Sequence, residues 1–205
     1  MKRLYYLRYL VAALMLLPNL VTAEENQPAY ITDCMDCHGK NGISTEPDVP
    51  TISGASELFL IDTMFAYKDG VRIAIESKYR SGDLNRPATD MQKISEKLTE
   101  QQIEEIGAFY SKLPFVAAKQ TFDASQVESG KKIHEVRCKK CHEDGGSSPD
   151  DDSGILAGQW TPYLKESFKL YRNGQRVMDK KMKEKMDGLS DQQIEALLSY
   201  YASQQ

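Results

Sequence analysis

Two five-residue strings, Cys34-Met35-Asp36-Cys37-His38 and Cys138-Lys139-Lys140-Cys141-His142, contain all four cysteines of the 205-residue chain and two of its three histidines. Each reads Cys-x-x-Cys-His. Two thiols at that spacing can add across the two vinyl groups of a haem, and the histidine that follows lies where its imidazole reaches the iron. One such string alone could mark a zinc ribbon or a redox dithiol. Two complete strings with no cysteine left over weaken both readings. A four-cysteine zinc site has no need of histidine after each pair, and a thioredoxin-like dithiol sits in a βαβ pattern that this sequence lacks. The expectation is two covalently attached haem c groups, one on Cys34 and Cys37 with His38, the other on Cys138 and Cys141 with His142. No disulfide is then possible.

The strings belong to an internal duplication. An offset of 104 lays Cys34 on Cys138, His38 on His142, Gly54 on Gly158, Tyr67 on Tyr171, Gly70 on Gly174 and Arg72 on Arg176. Further on the offset is 91, and Leu98-Thr99-Glu100-Gln101-Gln102-Ile103-Glu104 matches Leu189-Ser190-Asp191-Gln192-Gln193-Ile194-Glu195. The first copy therefore holds 13 extra residues between Arg72 and Met91, in a Gly-, Asn- and Pro-containing stretch that reads as a loop. Each copy reads as helical. Thr99 and Ser190, with Gln102 and Gln193 three residues on, predict capping boxes for closing helices whose apolar residues recur at helical spacing. A short helix is expected before each string, over about 28–34 and 127–138, and another over about 56–68 and 162–171. The predicted domains are 24–115 and 125–205, joined by a linker at 116–124. Each is small enough that a haem would supply much of its core.

Residues 1–23 read as a secretory signal. Lys2, Arg3 and Arg8 form its basic end, Leu10 to Leu17 its apolar run, and Val21-Thr22-Ala23 its cleavage site. The apolar run, broken by Pro18 and Asn19, is shorter than the ~20 residues of a spanning helix. Cleavage near Ala23, a periplasmic location and no stable membrane insertion follow as expectations. Losing three cations takes the formal charge from -4 to -7. Such an acidic chain is a poor nucleic-acid binder.

The sixth iron ligand separates a carrier from an enzyme. His134, the spare histidine, stands four residues before Cys138, too near the proximal attachment to cross to the distal face; a surface or propionate-contacting role is expected. Met91 and Met182 each lie seven residues before equivalent leucines, Leu98 and Leu189, so the duplication selects them from eight methionines. Met64, Met178 and Met186 are rivals, with core filling as the usual role of methionine. His/Met coordination of both irons would leave no open position for a substrate and would raise the potential, which predicts electron transfer and no catalytic residues.

Lys180, Lys181, Lys183 and Lys185 surround Met182, with Arg172, Arg176, Lys139 and Lys140 nearby. They read either as a solvated face or as a collar that steers a redox partner to the second haem. Asp150-Asp151-Asp152 reads as a solvated turn, and Trp160 as packing against haem.

On these residues the chain resembles the bilobed dihaem class I cytochromes c. The fold this implies is all-α, two tandem class I cytochrome c domains, each wrapped around one covalent haem. The linker stretch Ala118 to Asp123, Ser129-Gly130-Lys131-Lys132-Ile133-His134 and Gly158-Gln159-Trp160-Thr161-Pro162-Tyr163-Leu164 make it similar to the cytochrome subunit of flavocytochrome c sulfide dehydrogenase. That resemblance implies a heterodimer with a flavoprotein (FAD) subunit that oxidises sulfide, electrons entering at the first lobe and leaving from the second to a soluble acceptor. The alternative is a free-standing dihaem carrier serving a terminal oxidase or reductase. A dihaem peroxidase, which needs an open or histidine-ligated iron, finds little support.

Overall fold

The computed structural model describes residues 27–150 and 152–205; the predicted signal segment and Asp151 lie outside them. Among the described residues the chain is helical and forms no strand. The first lobe holds α1 (Ala29–Thr32), α2 (Met35–His38), α3 (Glu57–Lys68), α4 (Met91–Glu96) and α5 (Glu100–Tyr110). The second holds α6 (Val127–Arg137), α7 (Thr161–Arg172), α8 (Lys180–Met186) and α9 (Asp191–Ala202).

Local sequence sets the helix starts. Thr99 and Ser190 each accept from the backbone N–H three residues on, at 3.2 Å, while Gln102 and Gln193 reach back to the cap N–H at 2.9 Å. Both predicted capping boxes are present, so α5 and α9 begin where the orphan donors of a first turn are satisfied. Ser56 caps α3 in the same manner, accepting from Phe59 N–H at 3.0 Å.

Each lobe closes around one apolar cluster. Leu60, Met64, Ile103, Ile106 and Tyr110 form the first, Leu164, Ile194, Leu197, Leu198 and Tyr201 the second. In the second, α6 crosses α9 at Gly130, where an added Cβ would lie 2.0 Å from the Ala196 carbonyl oxygen. The duplication is visible in the backbone. Gly54 N–H donates to Tyr110 O at 3.0 Å, and the equivalent Gly158 N–H donates to Tyr201 O at 2.8 Å. Both glycines have positive φ, +73° and +69°; Gly54 lies against Phe115 just before the linker, and Gly158 against Ala117 within it.

The lobes meet where equivalent residues pair. Arg72 and Arg176, equivalent under the duplication, pair with one another as an isolated antiparallel bridge, the relation a two-fold rotation gives. Side chains that break the symmetry fasten the contact. Gln159 Oε1 accepts from Thr51 N–H and its Nε2 donates to Thr51 O, both at 2.9 Å. Trp160 Nε1 donates to Ser44 O at 3.0 Å, and Tyr163 N–H to Pro47 O at 3.1 Å. Trp160 therefore joins the lobes through its indole N–H. The linker is pinned along the second lobe: Ala118 N–H donates to Gly158 O at 2.8 Å, and Gln120 Nε2 to Gln159 O at 2.8 Å.

Candidate functional site

Both strings sit in a tight helical turn. His38 N–H donates to Cys34 O at 2.9 Å, and His142 N–H to Cys138 O at 3.0 Å, so thiols and imidazole come from one turn of backbone. His38 is buried, and its Nδ1 lies 2.8 Å from Pro50 O. A carbonyl partner makes Nδ1 the protonated nitrogen and leaves Nε2, with its lone pair, to bind a metal. Burial keeps the ring neutral by lowering its pKa. Burial also pushes the Cys34 thiol up to about 12, so it stays a thiol in the unmodified chain. Tyr110 stands beside it, its hydroxyl donating to Ile31 O at 2.7 Å. The duplicated Tyr201 stands beside Cys138.

Met91 opens α4 behind its N-cap Asp90, whose Oδ1 accepts from Lys93 N–H at 2.9 Å. Met182 lies in α8, behind the N-cap Asp179. Both are half-buried. They keep equal spacing to the closing helices, but α8 starts two residues earlier relative to its closing helix than α4 does. Two rivals are accounted for otherwise: Met64 is buried in the first core, and Met186 packs against the second. Met178, half-buried just before α8, is the rival that geometry leaves.

His134 departs from expectation. It is not superficial; it is fully buried on α6 against α9. Its Nδ1 lies 3.1 Å from the Tyr201 hydroxyl, and its ring meets that of Tyr201 edge-on at 5.7 Å. The reason is the α6–α9 crossing, which holds the residue against the closing helix.

The arginines equivalent under the duplication carry a role that the alignment displayed without assigning. Arg72 stacks on Tyr67 at 4.6 Å and Arg176 on Tyr171 at 4.4 Å. Arg72 is 8 % exposed, and its Nη2 reaches the Tyr163 hydroxyl at 3.4 Å. Burial alone would raise the Tyr163 pKa, but both guanidiniums pull it down to about 8. Among the described residues neither arginine pairs with a carboxylate. Both line a cleft of about 450 Å³ between the lobes, together with Val71, Val177 and the carboxylates of Asp62, Asp152 and Asp179, none of which pairs with either arginine. Two haems would bring propionates that could pair with the arginines, and apolar faces for Ile73 and the equivalent Val177, which stand exposed by 44 % and 68 %. These residues fit the expected group: thiols and a Nε2 at each attachment turn, thioethers on α4 and α8, and two arginines without a carboxylate partner among the described residues.

The lysines near the second string divide. Lys139 pairs with Glu135 at 2.8 Å and Lys183 with Asp187 at 2.8 Å, while Lys140, Lys180, Lys181 and Lys185 have no carboxylate partner among the described residues. Arg176 leaves the predicted collar altogether for the interface between lobes. Arg137 donates to Lys185 O at 3.0 Å, tying the α6 terminus beside Cys138 to the helix of Met182. Among the described residues no helix is long and apolar enough to cross a membrane.

Comparison with known proteins agrees with this architecture. The cytochrome c family profile matches residues 23–114, and the profile described as cytochrome c oxidase, cbb3-type, subunit III matches residues 125–200. Cytochrome c4 of Pseudomonas aeruginosa is 29 % identical over 178 residues, covering 82 % of this chain and 81 % of that protein. Cytochrome c-554(548) of Halomonas halodenitrificans is 31 % identical over 81 residues, 40 % of this chain and 84 % of that protein. The solved structure of reduced recombinant cytochrome c4 from Pseudomonas stutzeri superposes with a TM-score of 0.68 at 24 % identity, covering 85 % of this chain and 95 % of that one. Two attachment turns in two copies of one helical domain, with these relatives, place the chain in the cytochrome c family, as a dihaem class I member similar to cytochromes c4 that carries two covalently bound haem c groups.

Proposed function

We propose that this electron-transfer protein is a free-standing dihaem carrier of the periplasm, passing electrons between a donor and a terminal oxidase or reductase. Cys34, Cys37, Cys138 and Cys141 would hold the haems, His38 and His142 would ligate the irons through Nε2, and Met91 and Met182 would ligate them through their thioethers. Held by these residues, the haems would supply a one-electron ferric/ferrous couple with no position open to a substrate, and the thioethers would favour the ferrous form. Arg72 and Arg176 supply positive charge to the propionates.

The observation that carries this reading is the use made of the Gly158-Gln159-Trp160 stretch and the linker. These motifs suggested a flavoprotein partner. In the fold Gln159, Trp160 and Gln120 are engaged within the chain, fastening one lobe to the other and the linker to the second lobe. Joining two lobes is a task for any bilobed dihaem cytochrome and calls for no flavin subunit. Purification of the protein from its native periplasm tests the reading: a red protein that elutes alone supports it, and a stoichiometric flavin-bearing chain in the same peak replaces it with the sulfide dehydrogenase subunit.

A further inference from the structure

The 13-residue insertion does not hang free. Its neck is closed by Ser77 and Thr89, which exchange backbone hydrogen bonds at 2.7 and 2.9 Å. From there the chain folds back onto the first attachment string. Arg80 N–H and Ser81 N–H both donate to Asp36 O, at 2.7 and 3.1 Å. Ser81 Oγ donates to Asp36 Oδ1 at 3.1 Å, and the Arg86 guanidinium, stacked 3.5 Å over Tyr79, pairs with Asp36 Oδ2. Gly82, at φ +68°, passes so near that an added Cβ would lie 2.8 Å from both Asp36 carboxylate oxygens. Arg80 anchors the far side to Asp48 at 2.6 Å.

The second lobe has the opposite arrangement. It lacks the insertion, and the position of Asp36 is taken by Lys140, a reversal of charge. Cys37 is half-buried beside Lys78 O, whereas the equivalent Cys141 is exposed. Electron tunnelling falls steeply with distance, so a layer of chain over one haem edge decides which haem meets a partner.

We infer that the insertion is a cover over the Cys37 edge of the first haem, which leaves the second haem edge as the surface where a soluble redox partner exchanges electrons. Lys140, Lys180, Lys181 and Lys185, which have no carboxylate partner among the described residues, fit that surface to an acidic redox protein. The inference rests on the dihaem electron-transfer reading but not on the carrier being free-standing; a co-eluting flavoprotein would sink the latter and leave the cover untouched.

The test uses the oxidised holoprotein and a neutral gadolinium chelate, which broadens haem methyl resonances in proportion to their exposure, each set assigned by its contacts to one string. The methyls nearest the thioethers of the second haem are expected to broaden several-fold more than those of the first. Asp36→Arg should expose the first haem and equalise the two, and Asp36→Arg with Arg86→Asp should restore the difference. Equal broadening in the unaltered protein, or an Asp36→Arg protein whose first haem stays shielded, overturns the cover. With photoreduced flavodoxin as an acidic electron donor, Lys140→Glu should slow reduction several-fold at low ionic strength; an unchanged rate overturns the assignment of the partner surface.

Discussion

Gln159 holds Thr51 by both of its backbone polar groups, accepting from its N–H and donating to its C=O, each at 2.9 Å. The primary amide thereby imitates one rung of a strand pair across the boundary between lobes. Gln159 is 4 % exposed and Thr51 6 %, so water does not replace either bond without the lobes parting. Gln159→Ala is expected to weaken the joint by about 2–3 kcal/mol, the cost of two lost bonds that leave the Thr51 N–H and C=O buried without partners. Scanning calorimetry checks it: one cooperative transition should split toward two, with both haem spectra intact.

Met91→Ala and Met182→Ala are each expected to abolish the sulfur-to-iron charge-transfer band of one haem, to lower its potential and to let carbon monoxide bind its ferrous form. Absorption spectroscopy with redox titration reads all three effects. Met64→Leu and Met186→Leu, which replace core filler by core filler, should leave both haems unaltered and cost less than about 1.5 kcal/mol of stability. A band that survives Met182→Ala and disappears in Met178→Ala would move the second ligand to the rival residue.

Arg72→Gln and Arg176→Gln remove positive charge from the cleft between the lobes. A cation near a haem disfavours the more positive ferric state, so its loss should lower the potential. The expected drop is on the order of tens of millivolts, which corresponds to ~1 kcal/mol of lost pairing for a one-electron couple. Spectroelectrochemistry measures it, and the double variant tests whether one arginine senses the other across the cleft.

His134 provides a pH test. Burial, the chief cause, holds its pKa below the ordinary 6.5, so the folded state keeps it neutral. Below pH 6.5 the unfolded chain takes up the proton first, and stability falls with pH until the folded pKa is reached. The contribution is complete above 6.5. His134→Phe removes the titration and the partnerless buried Nε2 together. Denaturant titrations of both proteins should show a gap that is small near neutrality and shifts in favour of the variant as the solution is acidified.

Much of this protein was legible in the chain. Two Cys-x-x-Cys-His strings specify their own backbone turn, because the spacing that suits a haem also closes an i to i+4 hydrogen bond. The duplication announced two lobes, and the capping boxes at Thr99 and Ser190 fixed the closing helices, since a cap bonds within one turn of its own residue. What could not be read were the contacts between residues distant in sequence. No local pattern tells that Trp160 reaches Ser44, that His134 is buried under Tyr201, that Arg72 meets its own duplicate, or that Arg86 returns to Asp36. Local bonding is set by covalent proximity and was therefore written in the sequence. These pairings depend on how two packed lobes and one inserted loop fall together in space, and only the tertiary structure decided them.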